Sequence, residues 1–255
     1  MYRAIVFFDL DHTLLNDDSA IDEEIANAMD ELRSNNVLPI ISTGRNIYEI
    51  ENVLSATKID TIVSGNGANV HLNGKEIFRN LIDKKLVREM IATAEPLGDA
   101  VQIMNDKDYR ITKHTPIAIK NYQYINAIIP GTDIEDFLDN QDVMMMVVST
   151  VGHDEAYDKF KKYFNITRNT PYSVDVVSKG TSKQSGIEYL LNALNTQIPT
   201  FAFGDGLNDL SMLQFVDHPV AMGNGINEAK QVAEFVTTAN TDHGIVNGLK
   251  HFHLI

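Results

Sequence analysis

The sequence contains no cysteine among its 255 residues. This absence excludes disulfide bonds, thiolate catalysis and cysteine-based zinc sites, so any bound metal must be held by oxygen atoms or histidine. Basic residues are also scarce, because 21 lysines and arginines stand against 35 aspartates and glutamates, which gives a formal net charge of −14. This excess of negative charge disfavours nucleic acids and anionic membranes as partners. A small anionic substrate would therefore need a local group of cationic side chains.

Long apolar runs are missing as well. No stretch approaches the roughly 18 residues of a membrane-spanning helix, and the first residues lead directly into a predicted strand rather than into a signal peptide. We therefore expect a cytoplasmic protein with no membrane partner. Because 44% of the residues are apolar, a chain of this length can build one large domain or two smaller ones.

One apolar run ends in two aspartates that stand one residue apart. Ile5 to Phe8 is continuous and rich in β-branched and aromatic residues, which predicts a strand buried on both faces of a parallel sheet. If the backbone stays extended, Asp9 and Asp11 lie about 6.6 Å apart along the strand. Two carboxylates so close favour a shared proton or a divalent cation, and Mg²⁺ with oxygen ligands is the simplest choice. Aspartates after a strand also start turns or cap helices, so the pair alone leaves both interpretations open.

The same succession of strand, small polar turn and helix recurs along the chain. The predicted strand 37–42 ends in Thr43-Gly44-Arg45, whose hydroxyl and unhindered amide could hold a phosphate oxygen or form only a turn. Lys183 stands in the first turn of a predicted helix, where it would strengthen an anion pocket if the site were near. The predicted strand 200–203 ends in the acidic stretch 204–209, which favours a metal site once the earlier strand ends are considered.

The middle of the chain has a different pattern. From about Leu81 to Ser178, predicted strands and helices alternate without acidic motifs at the strand ends, which indicates a separate α+β module. Its predicted elements are strands within 99–104, 125–129 and 143–149, and a helix over 154–163. The sequence thus predicts an α/β fold with a Rossmann-like, doubly wound parallel sheet as its core, formed by residues 1–80 and 179–255. An α+β cap of residues 81–178 is inserted into this core.

Taken together, the motifs resemble those of the haloacid dehalogenase superfamily of phosphohydrolases. They follow in order over nearly the whole chain: Asp9-Leu10-Asp11-His12-Thr13, Ser42-Thr43-Gly44-Arg45, Lys183 and Gly204-Asp205-Gly206-Leu207-Asn208-Asp209. The stretch 64–68, the turn 221–224 and the large insertion resemble the Cof-type branch, which has a C2-type α+β cap. His12 stands where such proteins more often have glycine, and the acids of the motif are intact.

The resemblance implies a Mg²⁺-dependent phosphatase that acts on small phosphorylated metabolites, such as sugar or polyol phosphates. The resemblance implies that Asp9 is the nucleophile that forms an aspartyl-phosphate. It also implies that Asp11 acts first as the acid on the leaving group and then as the base on water. The implied metal ligands are Asp9, Asp11 through its backbone carbonyl, Asp205 and Asp209. The groups implied to hold the phosphoryl oxygens are the Leu10 amide, Thr43, Gly44, Lys183 and Asn208.

Two alternatives stay open. A phosphomutase shares this chemistry but transfers the phosphoryl group to a sugar instead of to water. A non-catalytic protein that binds phosphorylated ligands would keep the fold without turnover, although the intact Asp9 and Asp11 argue against it, because a sensor needs no nucleophile. The substrate does not follow from the sequence, and the oligomeric state stays open between a monomer and a small homo-oligomer.

Overall fold

The computed structural model describes residues 2–255, which divide into two compact units. The core unit comprises the chain up to Phe78 together with Ser182–Ile255, and the inserted unit comprises Arg79–Thr181. The strands are β1 Ala4–Phe8, β2 Val37–Ser42, β3 Ile62–Ser64, β4 Asn69–Leu72, β5 Lys75–Arg79, β6 Ala100–Met104, β7 Tyr109–Ile111, β8 Met145–Ser149, β9 Phe164–Thr170, β10 Ser173–Ser178, β11 Thr200–Gly204, β12 His218–Ala221 and β13 Phe235–Val236. The α-helices are α1 Glu23–Ser34, α2 Glu51–Thr57, α3 Lys84–Ala94, α4 Pro116–Tyr124, α5 Ile134–Asn140, α6 Lys183–Leu194, α7 Leu210–Leu213, α8 Asn227–Val232 and α9 Gly244–His251. None of the helices within residues 2–255 combines the length and the apolar character needed to cross a membrane.

The core unit is built around an eight-stranded sheet with the order β13-β12-β11-β1-β2-β3-β4-β5. The strands from β13 to β3 are parallel, and β4 runs antiparallel to β3. In β1, Val6 and Phe8 join the apolar cluster that includes α1, α2 and α9, whereas Ile5 and Phe7 join the cluster that includes α6, α7 and α8. Helices therefore cover both faces of the sheet, and the predicted doubly wound α/β fold is confirmed.

The strand order brings distant parts of the sequence to one edge of this sheet. Since β11, β1, β2 and β3 are neighbours and parallel, their carboxyl ends lie along the same edge. The residues that directly follow these four strands are Asp205, Asp9, Thr43 and Gly65. Three of the four motifs singled out in the sequence therefore meet at this edge.

The inserted unit is built around a five-stranded sheet with the order β7-β6-β8-β10-β9, in which all neighbouring strands are antiparallel. Val101, Met146 and Val174 point to one face, where they pack with residues of α3 and α5. The predicted α+β character of the insertion is thus confirmed.

One predicted strand of the inserted unit is wrong, and one predicted helix is shorter than expected. Residues 125–129 form no strand, because Ile125 ends α4 and, with Ile129, packs against the small cluster of Ala118 and Tyr122. The helix predicted over 154–163 is present as a 3₁₀-helix that spans Asp154–Phe160. Tyr157 and Phe160 of this helix are buried, whereas Ile128 is 82% exposed, so the apolar residues of 125–129 form no continuous buried face.

Candidate active site

Three carboxylates and one ammonium group meet at the carboxyl ends of β1 and β11. The Lys183 ammonium binds Oδ1 of Asp9, and its nitrogen lies 2.6 Å from Oδ1 of Asp209. Oxygen atoms of Asp9, Asp205 and Asp209 all lie within 4.8 Å of one another. Lys183 is 1% exposed, Asp209 is fully buried and Asp9 is 5% exposed. The cluster therefore holds more negative than positive charge in a place that water scarcely reaches.

Local structure fixes the two residues at the centre of this cluster. Lys183 is the first residue of α6, which begins after Ser182, and the Ser182 side chain caps the helix. The loop after β11 wraps around Asp209, whose Oδ2 accepts hydrogen bonds of 2.9 Å from the backbone N–H groups of Asp205 and Gly206. Both oxygens of Asp209 are therefore engaged, one with the loop and one with Lys183, and this residue anchors the cluster.

The excess of negative charge shifts the protonation of the cluster. Burial raises the pKa of Asp9 well above the usual range of an aspartate, and the charge of Asp209 raises it further, while Lys183 opposes both effects. Burial and the charge of Asp209 also raise the pKa of Asp205 to about 6. Burial by itself would lower the pKa of Lys183, but Asp209 and Asp9 outweigh it and raise that pKa. The lysine therefore keeps its charge, and the carboxylates still lack a further positive charge.

The same cluster fits a hard divalent cation. Its donors are carboxylate oxygens, which are the ligands that Mg²⁺ takes in proteins, and Mg²⁺ usually keeps several waters besides one or two carboxylates. The hydroxyl of Thr13 donates a hydrogen bond of 3.0 Å to Oδ1 of Asp205 and so orients this side chain. The raised pKa values of Asp9 and Asp205 indicate that their negative charge is not fully balanced. A cation held by these two residues would supply the missing positive charge.

The second aspartate of the first motif lies apart from these carboxylates. The extended backbone ends at Asp9, and the following turn, Leu10–Leu14, has His12 at a φ of 57°. This left-handed conformation suits glycine best and explains why glycine is favoured at this position, although histidine tolerates it. Asp11 instead forms a bidentate ion pair with Arg45, with 2.9 Å from Nε to Oδ2 and 2.5 Å from Nη2 to Oδ1. The side chain of Asp11 in this pair is 47% exposed.

The residues predicted to hold phosphoryl oxygens lie in loops that contact one another. Thr43 is fully buried, and its hydroxyl accepts a hydrogen bond of 3.0 Å from the backbone N–H of Arg45. Gly44 lies against Asn66, because a Cβ atom on Gly44 would be 3.1 Å from the side-chain oxygen of Asn66. The same oxygen accepts a hydrogen bond of 3.3 Å from Nδ2 of Asn208. Two of the predicted phosphate-binding residues are thus joined through a third residue.

Arg45 and Asn66 are the residues of this region for which the sequence suggested no role. A signal for both was present. Arg45 is a cation directly after a strand-end motif in an acidic chain, and Asn66 stands between two glycines at the end of a predicted strand. Neither signal indicates which side chain the residue contacts, because each partner lies in another segment of the chain.

A family model described as haloacid dehalogenase-like hydrolase matches residues 6–249. The chain belongs to this family. The predicted family is therefore confirmed, since the four motifs indicated the haloacid dehalogenase superfamily, and the stretch 64–68, the turn 221–224 and the large insertion indicated its Cof-type branch. The matched residues include every strand of both sheets except the first two residues of β1.

Three relatives illustrate this membership. YkrA of Bacillus subtilis, a candidate phosphatase by name, is 29% identical over 258 residues that cover both chains completely. The crystal structure of a hypothetical protein from Geobacillus kaustophilus HTA426 is 32% identical, with a TM-score of 0.89 and coverage of 99% of this chain and 100% of that one. The structure of BT4131, a sugar phosphatase of subclass IIB of this superfamily, is 26% identical, with a TM-score of 0.87 and coverage of 98% of this chain and 99% of that one.

Proposed function

We propose that this chain is a Mg²⁺-dependent phosphatase that hydrolyses small phosphorylated metabolites, of the sugar or polyol phosphate class, through an aspartyl-phosphate on Asp9. As a member of its family the chain is a phosphoric monoester hydrolase. The substrate class is supported by the likeness to a sugar phosphatase over nearly the whole chain. The metal and the intermediate are supported by the site itself.

One observation carries the proposal. Lys183 and three carboxylates cluster at the carboxyl ends of adjacent parallel strands, with Lys183, Asp9 and Asp209 buried and Asp205 partly buried. Lys183 fixes the carboxylate of Asp9 and keeps a positive charge beside it, which suits a nucleophile that must approach an anionic phosphoryl group. A purely structural ion pair needs no third carboxylate, and the position of Asp205 next to it supports catalysis.

The reaction proceeds in two displacements. First, a carboxylate oxygen of Asp9 attacks phosphorus, the bond from phosphorus to the ester oxygen breaks, and Asp11 gives its proton to the departing alcohol. Next, Asp11 takes a proton from water, the water oxygen attacks phosphorus, and the bond from phosphorus to Asp9 breaks. Inorganic phosphate and a free carboxylate result, so the enzyme returns to its starting state. Lys183, Thr43, Gly44, Asn208 and the Leu10 amide hold the phosphoryl oxygens.

Proton transfer requires a change at Asp11. Both of its oxygens accept hydrogen bonds from Arg45 in the structure, as those of an ionised carboxylate do, so the pair must open and Asp11 must take up a proton from water before it can protonate an ester oxygen. The pair is partly exposed, which makes opening inexpensive compared with breaking the buried pairs of Lys183. We assign this opening to the arrival of substrate.

Asp9, Asp205 and the backbone carbonyl of Asp11 are the groups we assign to Mg²⁺, and Asp209 adds negative charge and holds the loop in place. When bound, Mg²⁺ supplies positive charge to the phosphoryl oxygens and balances the carboxylates. We assign to the inserted unit the selection of the leaving group. This assignment is supported by the position of the metal cluster: within residues 2–255, the clustered carboxylates suited to a metal belong to the core unit alone.

A panel of phosphorylated metabolites tests the proposal, with phosphate release and alcohol release measured in parallel. We expect both products in equal amounts from sugar or polyol phosphates, loss of activity on chelation and its return with Mg²⁺. Ca²⁺ should replace Mg²⁺ poorly because its looser coordination misplaces the attacking oxygen. Transfer of the phosphoryl group to a second sugar without phosphate release would instead identify a phosphomutase. Full activity in metal-free buffer would remove Mg²⁺ from the mechanism.

A further inference from the structure

The turn that follows β3, Gly65–Gly67, lies among the segments that we assign to phosphate binding. We infer that Asn66, at the centre of this turn, is a positioning residue that holds Asn208 and Gly44 in place for the phosphoryl group. The inference rests on the proposed function, since it concerns how that function's phosphate site is built. Asn66 lies outside the four motifs, in the stretch 64–68, for which the sequence suggested no role in phosphate binding.

The backbone of the turn is tied to the loop that follows β2. Gly65, Asn66 and Gly67 all have positive φ, at 56°, 52° and 94°. This conformation turns two backbone N–H groups towards the neighbouring loop, so that Asn66 donates to the carbonyl of Thr43 and Gly65 donates to the carbonyl of Arg45, both at 3.0 Å. The turn therefore fixes the loop whose middle residue is Gly44.

The side chain of Asn66 contacts both the loop of Gly44 and the loop of Asn208. It is 7% exposed, its oxygen accepts a hydrogen bond from Nδ2 of Asn208, and Gly44 packs against its amide group. With the Nδ2 group held on one side by Asn66, the Asn208 side chain has fewer rotamers open to it. A group fixed in this way loses less entropy when it binds an oxygen of the substrate.

The turn also reaches the segment that carries Lys183. Gly67 packs so tightly on the residue before α6 that a Cβ atom would lie 2.0 Å from the carbonyl oxygen of Ser182. No side chain fits there, and the φ of 94° also demands glycine. The turn thus contacts the loop of Gly44, the loop of Asn208 and the start of α6, which together hold four of the five predicted phosphate ligands.

Asparagine has a combination of properties that this position needs. Asparagine tolerates left-handed backbone, accepts a hydrogen bond and carries no charge beside an anion. Glycine would keep the backbone but lose the contact with Asn208, and aspartate would keep the acceptor but add a negative charge. These two substitutions therefore separate the role of the side chain from that of the turn.

The experiment compares Asn66→Gly with Asn73→Gly. Asn73 also has positive φ, at 50°, but lies in the hairpin turn between β4 and β5, so the control makes the same backbone change away from the site. We expect Asn66→Gly to raise the inhibition constant of inorganic phosphate and the KM for p-nitrophenyl phosphate about tenfold to a hundredfold, with kcat changed less than about threefold. Asn73→Gly should match the wild type.

A double-mutant cycle tests whether Asn66 acts through Asn208. Once Asn208→Ala has removed the partner, adding Asn66→Gly should weaken phosphate inhibition by a clearly smaller factor than it does in the wild type, and the remaining effect is the part that acts through Gly44. Fully multiplicative effects would overturn the inference, and so would phosphate binding by Asn66→Gly as tight as in Asn73→Gly. If Asn66→Gly fails to fold, Asn66→Asp replaces it, because aspartate keeps the size of the side chain and should weaken phosphate binding through its charge. Phosphate binding by Asn66→Asp as tight as by the wild type would then overturn the inference.

Failure of the proposed function gives a different result. A wild-type chain that hydrolyses no phosphate ester would refute the phosphatase proposal, whatever Asn66 does. Calorimetric binding of inorganic phosphate to the Mg²⁺-loaded wild type and to Asn66→Gly does not depend on turnover, and equal affinities there would refute the role of Asn66 alone.

Discussion

Each of the two units buries a carboxylate, and the surroundings of these two carboxylates differ. In the core unit, Asp9 has Lys183 as its cationic partner but shares it with further carboxylates nearby. In the inserted unit, Asp99 accepts a hydrogen bond of 2.6 Å from the hydroxyl of Tyr157 and lies 3.0 Å from Nδ1 of His153. Asp9 is 5% exposed and Asp99 is 4% exposed, so burial alone does not distinguish them.

The balance of charge does distinguish them. Around Asp9 the carboxylates outnumber the ammonium group, and the pKa of Asp9 is raised as a result of burial and of Asp209. Around Asp99 the partners are Tyr157 and His153, and burial and Asp99 raise the pKa of Tyr157 far above any physiological pH, so its hydroxyl stays a donor. Several carboxylates crowded at the ends of parallel strands mark a site for a cation and an anionic substrate, whereas a single buried carboxylate with hydrogen-bond donors around it serves packing and hydrogen bonding.

Replacing the two aspartates by asparagine should have the largest effect and the sharpest contrast. We expect Asp9→Asn to lower kcat at least about a thousandfold, because an amide cannot attack phosphorus. Asp99→Asn should leave kcat on a small generic ester within about threefold while lowering stability. Phosphate release measures kcat of both variants, and urea unfolding measures their stability. Near wild-type turnover in Asp9→Asn would exclude it as the nucleophile.

Removing the cation of the core cluster should mainly affect stability and its dependence on metal. We expect Lys183→Met to lower the free energy of unfolding by about 3 to 5 kcal/mol, since buried carboxylates then lose their partner. Added Mg²⁺ should recover part of this loss by binding the folded state. Urea unfolding with and without Mg²⁺ provides the measurement, and a loss that Mg²⁺ leaves unchanged would argue that the cluster does not hold the cation.

The fold and the acidic cluster could be predicted because they depend on local patterns and one topological rule. The continuous apolar runs before Asp9 and Asp205 indicated strands buried on both faces, and the parallel order of these strands brings their ends together. The sequence Asn73-Gly74 between two alternating stretches is by itself a strong hairpin signal, and in the structure both residues adopt the positive φ that such turns require, at 50° and 71°.

The contacts around the cluster could not be predicted, because they depend on how loops fold against one another. The pairing of Asp11 with Arg45 requires the turn at His12, whose positive φ no side-chain pattern indicates. The contact of Asn66 with Asn208 spans 142 residues of sequence. In the inserted unit, alternating apolar residues at 125–129 suggested a strand, but packing after α4 decided their conformation.

Tyr157 allows a smaller test of the comparison. We expect Tyr157→Phe to lower the stability of the inserted unit by about 1 to 2 kcal/mol, since one buried acceptor of Asp99 loses its donor while the ring still fits. Because Asp99 keeps His153, the loss should be less than that of Lys183→Met. Urea unfolding gives the value, and unchanged inhibition by inorganic phosphate is the control. A change in phosphate inhibition would mean that the two clusters are coupled and that the contrast drawn between them fails.

The smallest effect is expected from an ion pair that is exposed. His243 Nδ1 lies 2.9 Å from both carboxylate oxygens of Glu24, and this hydrogen bond and the charge of Glu24 raise the pKa of His243 above its ordinary value. A raised pKa in the folded state means that the pair stabilises the protein fully below the unfolded pKa of about 6.5, and that this contribution is lost as pH rises through the folded pKa. We therefore expect the wild type to exceed His243→Asn in stability by more at pH 5.5 than at pH 9. Asparagine is the replacement because it tolerates the same left-handed backbone, at a φ of 57°. Since water screens the pair, the difference should be well below that of either buried cluster. A stability difference that grows with pH would reverse the sign and show that Glu24 does not favour the charged form of His243.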